Sequence, residues 1–318
     1  MYRKNGDLRV FSLSSHPQMG NKISEYLQIE PGKIELSTFS CGELYTRVLE
    51  NIRGKHVYVL QTTTQNVNNN VMELLIAVDS IKRASAQSTN VIVPYFPYSR
   101  QDKKSASREP ISARLVADLL EAAGTDRIIT MDLHADQIQG YFNIPVDHLT
   151  SLPLFVNYFK NIVNDHKNDF VVVAPDTGRA KAAKKFADKL GVGLAIIHKS
   201  RPKHNVSEVM HVIGSVTEKS CILYDDIVDT GGSIKNAYDA LKKNNALSVY
   251  LAATHPVFSG PAVERLNSCE FKEVVVINTI PLVDKPVKNI TVLDASNLFA
   301  EVVKRNYEHS SISELYDI

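Results

Sequence analysis

The stretch CILYDDIVDTGGS, residues 221–233, decides how the chain is read. Cys221, Ile222, Leu223 and Tyr224 make a short apolar run, too short for a helix and suited to a strand buried on both faces. Asp225 and Asp226 follow, where such a strand is expected to end and where ligands gather in an open α/β sheet. Asp229, Thr230, Gly231, Gly232 and Ser233 then form a turn that opens onto an amphipathic segment, residues 233–245. Small residues let backbone approach a ligand, and the N–H groups of a turn and a helix N-terminus suit a phosphate. Two carboxylates beside an anion-binding turn fit one ligand if it is both polyol and phosphate, with acids on sugar hydroxyls. The plainer alternative is a strand end with solvated acids and an ordinary glycine turn.

Working outward, short apolar runs alternate with helical patterns along the whole chain. Residues 10–13, 57–60, 91–93 and 128–131 read as strands in the first half, and 170–174, 194–197, 222–224, 249–252 and 274–277 in the second. Val71, Leu74, Leu75 and Val78 have helical spacing, as do Val116, Leu119, Leu120 and Ala123. The pattern recurs in Ala183, Phe186, Ala187 and Leu190, and in Ile234, Ala237, Tyr238 and Leu241. Such alternation predicts an α/β fold of mainly parallel sheets covered by helices. The run 128–134 mirrors 222–226, each a strand ending in acid, so two related domains are expected, 1–148 and 149–318. A last helical pattern, residues 297–306, could pack on either.

Length and composition agree with this picture. At 318 residues the chain accommodates two domains of about 150 residues each. With 44% hydrophobic and 22% charged residues and a net charge of +1, nothing global points to nucleic acid or a membrane surface. Cys41, Cys221 and Cys269 form no disulfide or metal framework, which suits a reducing compartment. The N-terminal segment MYRKNGDLRV has no long apolar core, and no run approaches about 18 apolar residues. A cytoplasmic protein is expected.

Five further clusters carry chemistry. Phe39, Ser40, Cys41, Gly42 and Glu43 could stack a base and accept from its amine, or could be a hairpin turn with Phe39 in the core. In PYFPYSRQDKK, residues 94–104, two prolines bar a helix and leave Arg100, Lys103 and Lys104 on a loop suited to polyphosphate, or simply solvated. Asp132 and His134 would share one side of an extended strand end. Zinc lacks further ligands there, whereas Mg2+ held mostly by phosphate needs only one or two. Asp176-Thr177-Gly178-Arg179 offers a second carboxylate, or an N-cap. Lys199 and Arg201 would face one way at the mouth of the polar segment 202–208, where they could offset charge in a transition state. No G-x-x-x-x-G-K-[ST] phosphate loop occurs.

Residues 221–233 resemble the phosphoribosyl-pyrophosphate signature of the type I phosphoribosyltransferase fold. With VMELLIAVDSIKRASA (71–86), PYFPYSRQDKK, SREPISARLVADLLEAAG (107–124), DLHADQIQGYFNIPVDHL (132–149), RPKHNVSEVM (201–210) and THPVFSGPAVERL (254–266), nearly the whole chain resembles the ribose-phosphate pyrophosphokinase family, of the phosphate-regulated bacterial and animal type. The resemblance implies two type I phosphoribosyltransferase-like domains, hexamers built from dimers, and transfer of the diphosphoryl group of MgATP to ribose 5-phosphate. Phe39, Cys41, Gly42, Glu43, Arg100, Gln101 and His134 would serve ATP. Asp132, His134 and Asp176 would serve Mg2+, and Asp225, Asp226, Asp229, Thr230, Gly231, Gly232, Ser233 and Arg201 the ribose 5-phosphate. Lys199 and Arg201 would be catalytic. Arg53, Asp136, Ser311 and Ser313 would lie where regulators bind. The chain departs from the family in having Cys41 and Asn143 where aspartate is usual, and Asp136 in place of proline or serine. The first change would weaken nucleotide binding, the second removes a charge near the metal region, and the third would repel a regulatory anion. A phosphoribosyltransferase that consumes the diphosphate, or a non-catalytic regulatory relative, are the alternatives.

Overall fold

Continuous Val/Ile/Leu runs can be satisfied only if both faces of a sheet are covered, and the chain does this twice. The computed structural model describes residues 5–200 and 209–316. They fall into two compact units: Met1–Thr150 with Thr279–Pro281 and Asp294–Ile318, and Ser151–Asn278 with Leu282–Leu293.

The first unit runs β1 (Leu8–Ser12), α1 (Pro17–Tyr26), β2 (Ile34–Thr38), β3 (Leu44–Val48), β4 (His56–Leu60), α2 (Val67–Arg83), β5 (Ser88–Val93), α3 (Ser112–Ala123), β6 (Arg127–Met131) and β7 (Val146–Leu149). Its sheet has the order β1-β4-β5-β6-β7, every neighbour parallel. Phe11, Val57, Val59, Val91, Val93 and Ile128 pack with Leu74, Val78, Val116 and Leu120 of α2 and α3. The alternating residues Val10, Tyr58, Leu60 and Ile92 are equally buried and face the other way. Against β1, α1 sits so close that a Cβ on Gly20 would lie 1.4 Å from Ser12 Oγ, so only glycine fits. Gly124 ends α3 in the left-handed region (φ 108°), its N–H donating to Glu121 O and that of Thr125 to Leu120 O. β2 and β3 form a separate antiparallel hairpin.

The second unit contains α4 (Leu152–Val163), β8 (Phe170–Ala174), α5 (Ala180–Leu190), β9 (Gly193–Ser200), β10 (Val209–Ile213), β11 (Ser220–Val228), α6 (Gly232–Lys243), β12 (Ser248–Pro256), α7 (Ala262–Asn267), β13 (Glu273–Ile277) and β14 (Ile290–Leu293). The strand order is β10-β9-β8-β11-β12-β13-β14, parallel except for β10. One face packs Val171, Val173, Cys221, Leu223, Val249 and Leu251 against Ile234, Ala237 and Leu241 of α6. On the other, Tyr224 and Tyr250 meet Phe155, Phe159 and Phe186 of α4 and α5, edge to face or tilted. Each such side chain contributes ~1.5–3 kcal/mol by burial. From β8 the chain leaves over one face through α5, and from β11 over the other through α6. The carboxyl ends of β8 and β11 therefore flank a topological switch point, where an α/β sheet opens a crevice.

The chain returns to the first unit with α8 (Ser296–Glu308), whose Tyr307 ring stacks edge-on to His56 and whose Asn306 donates to Asp147 Oδ2 at 2.7 Å. α8 also packs against α1.

Two expectations need correction. The strand expected to end at Tyr224 runs on through Asp225 and Asp226 to Val228, because β12 keeps pairing with it (Asp225 opposite Ala253, Val228 opposite Pro256). The edge strands β7 and β14 were not expected, since their half-exposed residues give no apolar run.

Candidate active site

Asp225 and Asp226 lie where β11 has lost one neighbour. Its pairing with β8 ends at Leu223 opposite Val173, while pairing with β12 continues. Side-chain exposure is 14% at Asp225 and 5% at Asp226. The Asp226 N–H donates to Asp225 Oδ1 at 2.9 Å. Burial, and next the neighbouring Asp226 charge, push the Asp225 carboxyl well above its ordinary value, while Arg179 pulls it down. Arg179 bonds Asp226 Oδ2 through Nη2, and its Nε lies 3.7 Å from Asp225 Oδ1. Sequence reasoning missed Arg179. It stood in a singled-out tetrapeptide, but its partners lie on another strand.

Beyond Val228 the chain turns through Asp229 and Thr230 into α6. Gly231 caps that helix with φ 72° and no side-chain bond, so the first N–H groups of the helix lack intrahelical partners. Three contacts from behind fix the turn. Ser259 Oγ donates to Asp229 Oδ1 and its N–H to Asp229 O at 3.0 Å, and Arg265 Nη1 donates to Thr230 O at 2.9 Å. Thr230 and Ser233 are exposed, whereas Gly231 is buried. Acids and free amides thus adjoin along one stretch, as the sequence suggested. Ser259 and Arg265 were quoted for the resemblance but given no role.

Asp176 is exposed and caps the 3-10 turn Thr177–Arg179, its Oδ1 accepting from Arg179 N at 3.1 Å. The N-cap alternative is thus what the geometry contains. Lys199 lies in β9 opposite Met210, and Arg201 falls outside the described residues.

In the first unit, residues 39–43 are the tip of the β2–β3 hairpin. Phe39 N donates to Glu43 O and Gly42 N to Phe39 O, both at 2.8 Å. Phe39 is 54% exposed and meets only the edge of Tyr45 among described ring contacts, so the core alternative fails. Cys41, Gly42 and Glu43 are exposed as well. Gly42 has φ 95°, which the turn requires. Arg100 and Gln101 are exposed, and the loop beneath them is anchored. Asp102 is buried, its Oδ2 accepting from Gln137 at 3.0 Å and its carbonyl from Tyr141 OH. Gln101 braces the first turn of α3, its carbonyl accepting from Ala113 N and its side-chain oxygen from Ser112 Oγ. Glu109 accepts from the N–H groups of Ser105 and Ala106 at 2.7 and 2.9 Å, tying that segment down.

The extended placement of Asp132 and His134 is not observed. β6 stops at Met131, and Asp132 adopts φ 37°. Alternation therefore does not apply, and His134 is exposed while Asp132 is partly buried. The loop is held instead by β7, with Asp132 N donating to Leu149 O and Leu133 N to His148 Nε2, both at 2.9 Å. Burial lowers the His148 pKa against the raising effect of Asp132 and Asp136. Its neutral form is the one that can accept. Among the described residues, no group of three or more His, Cys, Asp or Glu side chains is gathered to hold a metal.

Asn143 is bound to Glu121, its N–H at 2.6 Å and Nδ2 at 3.0 Å. An aspartate here would face a like charge, so the local reason for asparagine is Glu121. Arg53 lies in the turn before β4, its N–H on Asn51 Oδ1 at 3.1 Å. Asp136 is highly exposed, and Ser311 and Ser313 bond each other at 2.9 Å. All four belong to the first unit.

Known proteins resemble this arrangement over its full length. Residues 8–124 match a family described as the N-terminal domain of ribose phosphate pyrophosphokinase, and residues 201–317 the phosphoribosyl synthetase-associated domain. A ribose-phosphate pyrophosphokinase of Clostridium perfringens is 48% identical over 317 residues, covering 99% of both chains. That of Bacillus subtilis is 46% identical, over 99% of this chain and 100% of its own. The crystal structure of phosphoribosylpyrophosphate synthetase from Mycobacterium smegmatis superposes with a TM-score of 0.91 at 43% identity, over 96% of this chain and 100% of that one.

Proposed function

The chain belongs to the ribose-phosphate pyrophosphokinase family, and we propose that it makes 5-phosphoribosyl 1-diphosphate and AMP from ATP and ribose 5-phosphate. The observation that carries this is the adjoining of the acid pair on β11 and the Gly231 turn on α6. The carboxylates of Asp225 and Asp226 accept from the ribose hydroxyls. The N–H groups of Asp229 to Ser233 receive the 5-phosphate, helped by the N-terminal dipole of α6. On the donor side, Phe39 and Glu43 at the hairpin tip, with Cys41 and Gly42, meet the adenine, and Arg100, Gln101 and His134 meet the phosphates.

The ribose 1-hydroxyl oxygen forms a bond to the β-phosphorus of ATP. The bond from that phosphorus to the oxygen bridging to the α-phosphate breaks, AMP leaves with this oxygen, and the hydroxyl gives up its proton. Such chemistry needs alignment and charge stabilisation more than covalent help. Lys199 and Arg201 supply positive charge to the transferring group. Bound Mg2+ would neutralise charge across the phosphate oxygens, with Asp132 or His134 in the first unit and Asp176 in the second each offering it a single ligand. One or two protein ligands suit a cation whose remaining ligands are phosphate and water.

A homo-oligomer in the cytoplasm belongs to the same proposal. Exposed Leu115 and Leu119, one turn apart on α3, favour association, and the three cysteines are free as in a reducing compartment. Among the described residues no helix is long and apolar enough to cross a membrane. The test is AMP formation that depends on both ATP and ribose 5-phosphate. A chain that forms no AMP from the pair would be a non-catalytic relative.

A further inference from the structure

Consecutive residues on a strand send their side chains to opposite faces, so a single group seldom reaches both. Arg179 does. It can because β8 stops at Ala174, leaving the edge of β11 beyond Leu223 open on that side. The 3-10 turn Thr177–Arg179, started by the Asp176 cap, directs the guanidinium to that edge. There Nη2 engages Asp226 Oδ2 and Nε approaches Asp225 Oδ1 at 3.7 Å, using one oxygen of each carboxylate. The three side chains are 17%, 14% and 5% exposed, so the contact is far from the solvent-screened pairs that contribute little.

We propose that Arg179 is a positioning residue of the acceptor site, one guanidinium fixing the two carboxylates in the orientation from which they accept the 2- and 3-hydroxyls of the sugar. Two adjacent buried acids would otherwise repel, or one would turn away. A guanidinium fork suits this because it presents several donors in one plane, whereas a lysine ammonium is a point charge on a flexible stem. The inference rests on the acceptor-site reading above.

The test measures ribose 5-phosphate and 2-deoxyribose 5-phosphate binding by calorimetry without nucleotide, beside steady-state kinetics, in wild type, Arg179→Lys and Arg179→Met. In the methionine variant, ribose 5-phosphate should bind about tenfold to a hundredfold more weakly. Its advantage over the 2-deoxy sugar should shrink, while KM for ATP stays within about twofold. Arg179→Lys should recover part of the loss, and it carries the test if the methionine variant does not fold. Unchanged ribose 5-phosphate affinity in a folded variant, or an equal loss for both sugars, would overturn the proposal. Failure of the functional reading appears separately, as wild-type protein that yields no AMP.

Discussion

The two acids near the carboxyl end of β11 and the Asp132–His134 pair just past β6 stand at the same end of parallel strands in two sheets, and they are held by different means. Asp225 and Asp226 remain in extended backbone because β12 continues the ladder beside them, and a guanidinium spans both. Asp132 and His134 lie past the end of their strand, in a loop bent through a left-handed residue and propped by a histidine ring. Continued strand pairing fixes the first pair, and one backbone bond to β7 with a histidine ring the second. A site for a rigid sugar phosphate can be built into a sheet. In the function proposed above, the larger, charged nucleotide is received on a hairpin tip and loops anchored at a few points.

The strongest way to break this contrast is to uncouple the β11 acids. Asp226→Asn leaves the mostly buried Arg179 with a neutral partner and should cost about 3 kcal/mol of stability. Ribose 5-phosphate binding should fall by about a hundredfold. Chemical denaturation and calorimetry measure the two. On the other side, His148→Leu removes the acceptor of the Leu133 N–H and should cost about 1–3 kcal/mol. Kinetics should then show a raised KM for ATP with ribose 5-phosphate binding unchanged. Equal damage to both substrates would remove the distinction between the two sites.

The histidine prop also has a pH signature. Because burial depresses the His148 pKa in the fold below its ordinary 6.5, the unfolded chain takes up the proton first on acidification. The stability that neutral His148 contributes is therefore complete above 6.5 and lost as the pH falls through the depressed value. Acid unfolding curves of wild type and His148→Leu should converge over that window. Gly231→Ala is a smaller perturbation. A Cβ there meets Ala262 at an ordinary 3.5 Å, so the cost is that of φ 72°, about 1 kcal/mol, with weaker phosphate affinity. Smallest is Cys41→Asp, which puts a stronger acceptor at the exposed hairpin tip. It should lower KM for ATP by about threefold. An unchanged constant would leave Cys41 without a nucleotide role.

Much of this was legible in the chain. The apolar runs at 170–174, 222–224 and 249–252 marked central strands, because burial on both faces leaves no other residue type possible. The Asp229–Ser233 turn was legible through its glycines. What escaped depends on neighbours distant in sequence. Only β12 explains why β11 continues past Tyr224, and only the early end of β8 explains how Arg179 reaches Asp226, 47 residues later, and its neighbour. His148 escaped because β7 is short and half-exposed, so no periodicity announced it. Asn143, read by resemblance as a change near the metal, is accounted for by a glutamate on α3.

The central claim is that the β11 acids present ribose 5-phosphate to the β-phosphorus of ATP. Phosphorus NMR of the protein with both substrates tests it most directly. The account predicts AMP and a sugar diphosphate in equal amounts, with the diphosphate moved as one unit. Formation of ADP and a sugar bisphosphate, through attack at the γ-phosphorus, would contradict it.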